Sequence, residues 1–442
     1  MYLVYSFLLT LGLVVFFPWF VFIALRHGKY LTGLRQRFGH LSSLPGDSKP
    51  TIWIHCVSVG ETQAARPLIE SLRQTYPGYC LVASTITRTG QVLAHEVLTN
   101  QVNKIFYFPF DWRFTVRRAL DAINPAAVLI METELWPNFL RECRTRDIPV
   151  IIVNGRISQQ SFRRYRVVPF FISRVLALLD LAVMQSEGDA ERIKALGCAA
   201  AKVRVAGNLK FDADVSLSRS HTTQELETRF ALDNHRPVIL AASTHSPEEK
   251  IILDSFQHLE ATPGSEPRLI LAPRHPERFQ EVGEILKNSR IKWVRRTATA
   301  TASDVKADVI LLDSIGELPG LYSLADIVFV GGSIADKGGH NVLEPAANGT
   351  CVVTGAHTHN FDDIVRRLRQ HDAIIQLPAA AQVREVLADV LHELLTDPEK
   401  RQLLGNRAKE FVLSNKGATA KTLQLIQPFL SKSVVPSVKH PS

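Results

Sequence analysis

Short apolar runs alternate with helical patterns from Thr51 onward, and the alternation continues through both halves of the 442-residue chain. Apolar runs that end in glycine or polar residues are typical of buried parallel strands joined by helices. In the first half these runs are TIWIHCVSVG, YCLVASTIT, KIFYFPF, AAVLIMETELWPN, PVIIVNGRIS and LAVMQSE; in the second they are PVILAAST, RLILAPRHPER, KWVRR, DVILLDSIGE, DIVFVGGS and TCVVTG. The pattern predicts an α/β protein with two Rossmann-like, doubly wound domains that face each other across a cleft.

A polar stretch separates the two series of strands. Residues 213–235 read ADVSLSRSHTTQELETRFALDNH and are interpreted as a linker. Residues 29–212 then form the first domain, and residues 236–430 form the second together with helical patterns near its end. Residues 431–442 are predicted to be a disordered tail. A chain of this length needs more than one core, which agrees with such a division.

An uncharged apolar run, Leu3–Leu25, is long enough to cross a bilayer as one helix. It lacks the basic n-region and the small-residue cleavage site of a secretory signal. Basic residues follow immediately, so the positive-inside rule places the remaining chain on the cytoplasmic side: Arg26, His27, Lys29, Arg35 and Arg37. Residues 1–28 are therefore predicted to be a single-pass anchor in the inner (cytoplasmic) membrane. The alternative is a buried globular helix.

The net charge indicates what kinds of partner the protein binds, and the cysteine content indicates its redox compartment. The net charge of +8 suits an acidic substrate or an anionic membrane face, and no nucleic-acid partner is expected. Five cysteines are scattered without C-x-x-C spacing: Cys56, Cys80, Cys143, Cys198 and Cys351. This indicates a reducing compartment and argues against a zinc or disulfide framework.

Polar side chains follow the strands of the first half at the points where ligands bind in such sheets. Glu61 follows SVG, Glu132 and Glu134 end the METE segment, and Lys210 follows GN. A glutamate in a cleft that raises its pKa can act as a general base. Glu61 is equally well explained as a first-turn residue that the helix dipole favours. Glu132 or Glu134 can simply pair with an arginine, and a solvated loop lysine is the commoner outcome for Lys210.

The second half carries a glycine-rich stretch, Gly331–Gly355, directly after the strand DIVFV. Four glycines in nine residues let the backbone take positive φ, and Asn341 can cap a helix whose first turn holds Glu344. A strand, a glycine-rich turn and a helix start together predict an anion site, with Glu344 as acceptor from a sugar hydroxyl. The alternative is an ordinary βα connection.

Other polar groups of the two halves are weaker candidates. Arg274 can bind an anion bidentately, whereas a loop hydrogen bond is the commoner role for His275. His357 and His359 have no further ligands beside them in the sequence, which argues against a metal site there. The basic run Arg163, Arg164 and Arg166 is usually a solvated surface, although near a membrane it can grip lipid phosphates.

Taken in order, these segments resemble the 3-deoxy-D-manno-octulosonate (Kdo) transferases of lipopolysaccharide synthesis, a GT-B glycosyltransferase family. The resemblance covers nearly the whole chain, including the N-terminal anchor, HCVSVGE, METELWPN, GNLKFD, AASTH, APRHPER, GGSIADKGGHNVLEPAA and HTHNF. It implies transfer of Kdo from CMP-Kdo to the 6′-hydroxyl of lipid IVA, often with addition of a second Kdo. Cys56 and the tail after Ser431 are departures that do not touch the implied site.

The resemblance also assigns roles. Glu61 would be the proton acceptor, and Glu132 and Lys210 would stabilise the transition state. The residues implied to hold CMP are Pro273, Arg274, Ile315, Gly316, Glu317, Asn341, Val342, Leu343 and Glu344. Because CMP has a single phosphate, for which a metal clamp is less needed than for a diphosphate, we expect no metal cofactor.

Three other functions remain to be separated from this one. Another two-domain sugar-nucleotide enzyme, such as a lipid-disaccharide synthase or an epimerase, would use a UDP-sugar. A Rossmann oxidoreductase would carry G-x-G-x-x-G, but the first strand ends in SVGE. A non-catalytic membrane scaffold is supported only by the apolar N-terminus and the basic run.

Overall fold

The computed structural model describes residues 2, 4–12, 14–15, 32–44, 49–212, 221–232, 236–260 and 266–431. The chain divides into two compact units. Unit 1 comprises Met1–Ala213 with Asn415–Ser442, and unit 2 comprises Asp214–Ser414.

Unit 1 is built on a seven-stranded parallel sheet with the order β3-β2-β1-β4-β5-β6-β7. The strands are β1 Thr51–His55, β2 Cys80–Thr85, β3 Lys104–Tyr107, β4 Pro125–Met131, β5 Val150–Gly155, β6 Leu181–Met184 and β7 Val203–Val205. The α-helices are Leu34–Arg37, Val59–Thr75, Arg88–Leu98, Arg113–Ile123, Pro137–Arg144, Gln159–Tyr165, Pro169–Leu176, Glu187–Ala195 and Ala418–Ser431. The winding reverses between β1 and β4, which lie side by side although two strands separate them in the chain.

The first strand explains why this sheet is buried on both faces. All five residues of β1 are buried, and Trp53 contributes to one apolar cluster while Ile52 and Ile54 contribute to the other. Helix Val59–Thr75 covers the second face with buried apolar side chains that include Leu68 and Leu72. Pro67 lies inside this helix, eight residues after its start.

Unit 2 contains a second seven-stranded parallel sheet with the order β10-β11-β9-β8-β12-β13-β14. The strands are β8 Val238–Thr244, β9 Arg268–Pro273, β10 Trp293–Arg295, β11 Val309–Leu311, β12 Ile327–Val330, β13 Cys351–Thr354 and β14 Ile375–Gln376. The α-helices are His221–Phe230, Glu248–Glu260, Phe279–Lys287, Leu318–Leu321, Leu343–Asn348, Asp362–Gln370, Val383–Thr396 and Pro398–Ser414. Strand β8 lies between β9 and β12, so the winding of this sheet reverses at β8.

The ends of the two units differ from the boundaries predicted from sequence. Helix Ala418–Ser431, predicted to belong to the second domain, packs in unit 1, where Ile426 and Leu430 join the core beneath helix Val59–Thr75. Asp212 accepts hydrogen bonds from the N–H groups of Gly417 (2.7 Å) and Thr419 (2.5 Å) and so fixes the start of this helix. Residues 213–235, predicted to be a linker, include helix His221–Phe230, which buries its last residue. The predicted tail beyond Ser431 lies outside the described residues.

The described N-terminal residues form a helix against unit 1. Trp112 Nε1 donates to Thr10 Oγ1 at 3.1 Å, Asn138 Nδ2 donates to Ser6 Oγ at 3.0 Å, and Tyr5 lies 5.9 Å from Phe171 between ring centroids. Among the residues that the structure describes, no helix is both long enough and apolar enough to span a bilayer. The predicted anchor, Leu3–Leu25, is described only at residues 4–12, 14 and 15.

Candidate active site

Glu61 lies at the start of helix Val59–Thr75, directly beyond the carboxyl end of β1. Ser58 caps this helix: its Oγ accepts from the Glu61 N–H at 3.4 Å and donates to Glu61 Oε1 at 3.0 Å. The Val57 N–H donates to Glu61 Oε2 at 2.7 Å. This reciprocal arrangement is a variant of the capping box in which the Val57 N–H replaces the N–H of the N-cap residue, so Glu61 does have the helix-start role that was the alternative interpretation. It also holds the carboxylate in one orientation.

The surroundings of Glu61 change its acidity. Only 6% of the residue is exposed. Burial, followed by the negative charge of Glu132, raises the pKa of Glu61 to about 8, against the lowering effect of its hydrogen bonds. Glu134 adds to the same rise, and its own pKa is raised by burial and by Glu132 to about 6. Glu132 follows β4, the neighbour of β1, and takes a left-handed backbone conformation with φ of 55°. Three carboxylates therefore meet where the winding of the sheet reverses.

Lys210 lies in the same charge cluster. It belongs to the 3₁₀ turn Leu209–Asp212, which is fixed because Asn154 Oδ1 accepts from the Leu209 N–H at 3.0 Å. Burial lowers the pKa of Lys210, whereas the charges of Glu132 and Glu61 oppose that change. The structure thus brings together Glu61, Glu132 and Lys210, which are far apart in sequence.

The residues predicted to hold CMP lie in unit 2, beyond the carboxyl ends of β9, β11 and β12. Pro273 ends β9, and the exposed Arg274 follows it. Glu317 pairs with Arg296 through two contacts of 2.9 and 3.2 Å and also accepts from Ser314 Oγ. Ile315 is 80% exposed, and Gly316 has φ of +89° with open space around it, so this backbone is accessible to a ligand.

Asn341 and Glu344 form a bonded pair at the start of helix Leu343–Asn348. Asn341 Nδ2 donates to Glu344 Oε1 at 2.9 Å, and Asn341 Oδ1 accepts from the Leu343 N–H at 3.0 Å. Burial raises the pKa of Glu344, which also accepts a hydrogen bond from the Tyr322 hydroxyl. Asn341 bonds the helix start as predicted, although Val342 occupies the N-cap position. Since Leu343 is already bonded and Pro345 has no N–H, this helix start offers fewer donors to a phosphate than the sequence indicated.

The glycine-rich turn does hold an anion, but that anion is a carboxylate of the protein itself. Glu248, which is fully buried, accepts from five backbone N–H groups. Its Oε2 accepts from His245 at 2.9 Å and Gly332 at 2.8 Å, and its Oε1 accepts from Ser333, Ile334 and Ala335 at 2.9, 2.8 and 3.1 Å. The backbone N–H groups of the turn Gly332–Ala335, which were predicted to bind an anion, therefore bind the side chain of Glu248. A Cβ at Gly331 would lie 2.6 Å from the Ser243 carbonyl oxygen, so this position requires glycine.

Comparison with known proteins decides the family. Residues 32–213 match the family model described as 3-deoxy-D-manno-octulosonic-acid transferase (kdotransferase), and residues 294–411 match the model of glycosyl transferases group 1. The chain is 34% identical over 414 residues to the 3-deoxy-D-manno-octulosonic acid transferase of Haemophilus influenzae, which covers 93% of this chain and 95% of that protein. The chain belongs to the Kdo transferase family. The protein of the same name from Bordetella pertussis is 32% identical over 404 residues, or 89% of this chain and 91% of that protein.

This Kdo transferase is a glycosyltransferase whose two parallel-sheet α/β units are consistent with the GT-B fold. A solved structure of UDP-GlcNAc 2-epimerase from Neisseria meningitidis bound to UDP-GlcNAc covers 86% of this chain and 100% of that chain. The TM-score is 0.55 and the identity is 15%, so this likeness concerns the fold alone.

The structure also shows the neighbours of the weaker candidates His357 and His359 and of Cys56 in this Kdo transferase. His357 and His359 lie 3.5 and 3.8 Å from Asp336 through their Nδ1 atoms. The described part of the chain contains no group of three or more His, Cys, Asp or Glu side chains that could hold a metal ion. Cys56 is buried, and burial with the charges of Glu61 and Glu132 raises the pKa of its thiol. Residues that the sequence reasoning missed are Glu248, Tyr322, His245 and His340.

We expect the activity of this Kdo transferase to rise with pH through a limb centred near 8. This expectation depends on the general-base role that is proposed for Glu61 below: a general base must be ionised, and burial raises the pKa of Glu61 to about 8. Because this pKa is raised from its ordinary value of 4.5, the folded state is favoured when Glu61 is protonated, so the unfolding free energy falls as pH rises from about 4.5 towards 8. The measurements are kcat/KM and thermal midpoints between pH 5 and 9. For Glu61→Gln we expect a flatter fall of the midpoint with pH; an unchanged fall would contradict the assignment.

Proposed function

We propose that this Kdo transferase moves Kdo from CMP-Kdo to the 6′-hydroxyl of lipid IVA, adding one or more Kdo units during synthesis of the lipopolysaccharide inner core. Membership of the family supports the transferred sugar. The single observation that carries the mechanism is the buried Glu61 carboxylate, whose pKa of about 8 suits proton acceptance near neutral pH. Unit 1 is proposed to hold the acceptor and unit 2 the donor.

Glu61 acts as the general base in this proposal. The acceptor hydroxyl oxygen attacks the anomeric carbon of Kdo, and its proton passes to Glu61. The bond between the anomeric carbon and the phosphate oxygen breaks, and its electron pair leaves with CMP. The capping box supports this role, since the hydrogen bonds from Val57 and Ser58 keep the carboxylate from rotating as it takes the proton.

Glu132 and Lys210 are proposed to stabilise the transition state. Departure of CMP leaves positive charge on the sugar and adds negative charge to the phosphate, and fixed charges can stabilise both without reorganising. Glu132 and Lys210 supply one charge of each sign in one cluster, where the Glu132 charge raises the pKa of Lys210 against the effect of burial. Lys210 is held by a turn fixed through Asn154, which supports a preorganised role.

CMP is proposed to bind unit 2 at Pro273 and Arg274, at Ile315 through Glu317, and at Asn341 through Glu344. The exposed Arg274 guanidinium suits the single phosphate, and the open backbone at Gly316 suits the base or ribose. Glu344 is oriented by Asn341 and Tyr322, which supports the role of acceptor from a ribose hydroxyl.

We further propose that unit 1 docks on the anionic inner leaflet of the cytoplasmic membrane, with both units on the cytoplasmic side. The N-terminal helix exposes Phe7 and Leu8 although it packs on unit 1, and Val167 and Phe170 are also exposed. These exposed apolar side chains and the basic run Arg163–Arg166 together suit an anionic lipid surface. The uncharged apolar run Leu3–Leu25 supports a single-pass anchor over residues 1–28 as part of this proposal.

Equilibrium competition between nucleotides tests the donor class. We expect CMP to bind the wild-type protein and UDP not to compete for its site, because a donor with one phosphate needs no place for a second. Isothermal titration with each nucleotide, followed by CMP titration in the presence of UDP, measures this. Competition by UDP with equal or higher affinity would favour a UDP-sugar enzyme instead.

A further inference from the structure

Three histidines from three neighbouring loops lie together at the carboxyl edge of the unit 2 sheet. His245 follows β8, His275 follows β9, and His340 lies in the loop that follows β12. The Nε2 atoms of His245 and His340 are 2.8 Å apart, and the two rings are parallel to within 1°. The ring of His275 stands edge-on to that of His245, with 5.0 Å between centroids. We call His245 and His340 the histidine pair.

The position of the histidine pair is one where parallel sheets bind ligands. Strand β8 is flanked by β9 and β12, so the winding reverses there. Ligands of such sheets bind beyond the carboxyl ends of the strands at this reversal. Both members of the pair also adjoin loops that hold CMP in the proposed function, since Thr244 bonds the backbone of Arg274 and His340 precedes Asn341.

The charged groups around the histidine pair are mainly cationic. Arg274 and Lys337 are exposed and form no ion pair with any side chain in the described ranges. Arg278 is engaged by Glu249 and by Glu281, the latter at 2.9 Å.

The nearby carboxylates do not offset this positive field at the pair. Glu277 is exposed and lies 3.7 Å from His275 rather than against the pair. The Glu248 carboxylate, although it bonds the His245 N–H, has both oxygens committed to backbone donors.

Burial, and after it this positive field, set the protonation of the pair. Burial, His275 and the charges of Lys337, Arg278 and Arg274 lower the pKa of His245 to about 4. Burial, His245, Arg274 and His275 lower the pKa of His340 to about 4 as well. Both rings are thus neutral at pH 7. Because their Nε2 atoms bond each other, the ring that accepts this bond carries its hydrogen on Nδ1, and that Nδ1–H is the donor the pair can offer to an anion. A bound anion would be complementary to a site with this excess of positive charge.

We propose that the histidine pair binds the carboxylate of the donor sugar. This inference rests on the proposed function, in which the donor is a nucleotide ester of an acidic sugar. In such a donor the carboxylate and the phosphate ester are attached to the same anomeric carbon, so the sugar carboxylate must lie beside the phosphate. The histidine pair adjoins Arg274, the proposed phosphate ligand, and therefore offers the second anion subsite where the chemistry of the donor needs one.

The test compares the whole donor with its nucleotide part. His245→Gln and His340→Gln are made separately in the full chain; KM for CMP-Kdo is measured by Kdo transfer, and Kd for CMP by calorimetry. We expect either substitution to raise KM about 10-fold or more and to leave the Kd for CMP within about 2-fold. His258→Gln, an exposed histidine in the last turn of helix Glu248–Glu260, is the matched control and should change neither value.

Each outcome separates this subsite from the proposed function. Equal increases in KM and in the Kd for CMP would show that the pair holds the phosphate, and unchanged values would show that it contacts no donor group; both results would overturn the inference. Failure of the wild-type protein to bind CMP or to transfer Kdo would instead defeat the proposed function. Binding of CMP also shows whether a variant is folded. If His245→Gln does not fold, His340→Gln, at a half-buried position, provides the same test.

Discussion

Glu61→Gln is expected to lower kcat for Kdo transfer by about 10²–10⁴-fold while the Kd for CMP stays unchanged. Glutamine is nearly isosteric and can still accept from the Val57 N–H, so the helix start is preserved. It cannot take a proton from the acceptor hydroxyl. The measurements are the transfer rate with radiolabelled Kdo and CMP binding by calorimetry on the same preparation.

Glu70→Gln is the matched control for that substitution. Glu70 lies on the same helix and pairs with Arg66 at 2.8 Å, at the surface of unit 1. We expect it to leave kcat within about 2-fold, because pairs of this kind contribute little. A Glu61→Gln variant that keeps the wild-type kcat would remove Glu61 from the mechanism, and retained kcat is also what a non-catalytic scaffold predicts.

Glu248→Gln is expected to lower the free energy of unfolding by about 3–5 kcal/mol and to weaken CMP binding. The carboxylate accepts from five N–H groups in a fully buried position, three of them through Oε1. A side-chain amide places its own N–H₂ against some of these donors and leaves them unsatisfied. Because the loop that Glu248 holds leads into Asn341–Glu344, its displacement also disturbs the proposed nucleotide site. Urea unfolding followed by circular dichroism measures the first effect, and calorimetry measures the second.

Asp254→Asn provides the comparison on the same helix, at a partly exposed position. A change within about 0.5 kcal/mol is expected there, as for most surface substitutions. If Glu248→Gln keeps the stability and the CMP affinity of the wild-type protein, the glycine-rich turn does not need the Glu248 carboxylate. Loss of stability without loss of CMP affinity would separate this carboxylate from the nucleotide site.

The two sheets were predictable because their strands are buried on both faces. Runs such as TIWIH and DIVFV are continuous and apolar, and they correspond to β1 and β12. Strands β7 and β14, Val203–Val205 and Ile375–Gln376, were missed; both are two or three residues long and lie at sheet edges, although β10, which is equally short and also at an edge, was predicted from KWVRR. The place of helix Ala418–Ser431 was also missed. Its apolar face predicts burial, but nothing local indicates that it covers the first sheet rather than the second.

The candidate site was predictable to the extent that it depends on strand ends. Glu61 and Glu132 follow β1 and β4, and the order of strands in a doubly wound sheet brings those two ends together. Glu248 was missed because four of its five partners lie 84 to 87 residues further along the chain. A glutamate in the first turn of a helix is ordinary in sequence, and only the packed structure shows that it occupies the glycine-rich turn. The same holds for the histidine pair, whose members are 95 residues apart.

Transfer by the purified wild-type protein tests the central claim most directly. The protein is incubated with lipid IVA and with CMP-Kdo generated in the same reaction, and the lipid product is analysed by mass spectrometry. The account predicts a lipid heavier by one or more Kdo units, with the first unit on the 6′-hydroxyl. Unmodified lipid IVA beside a protein that binds CMP, or a lipid that carries a sugar only when a UDP-sugar is supplied, would contradict it.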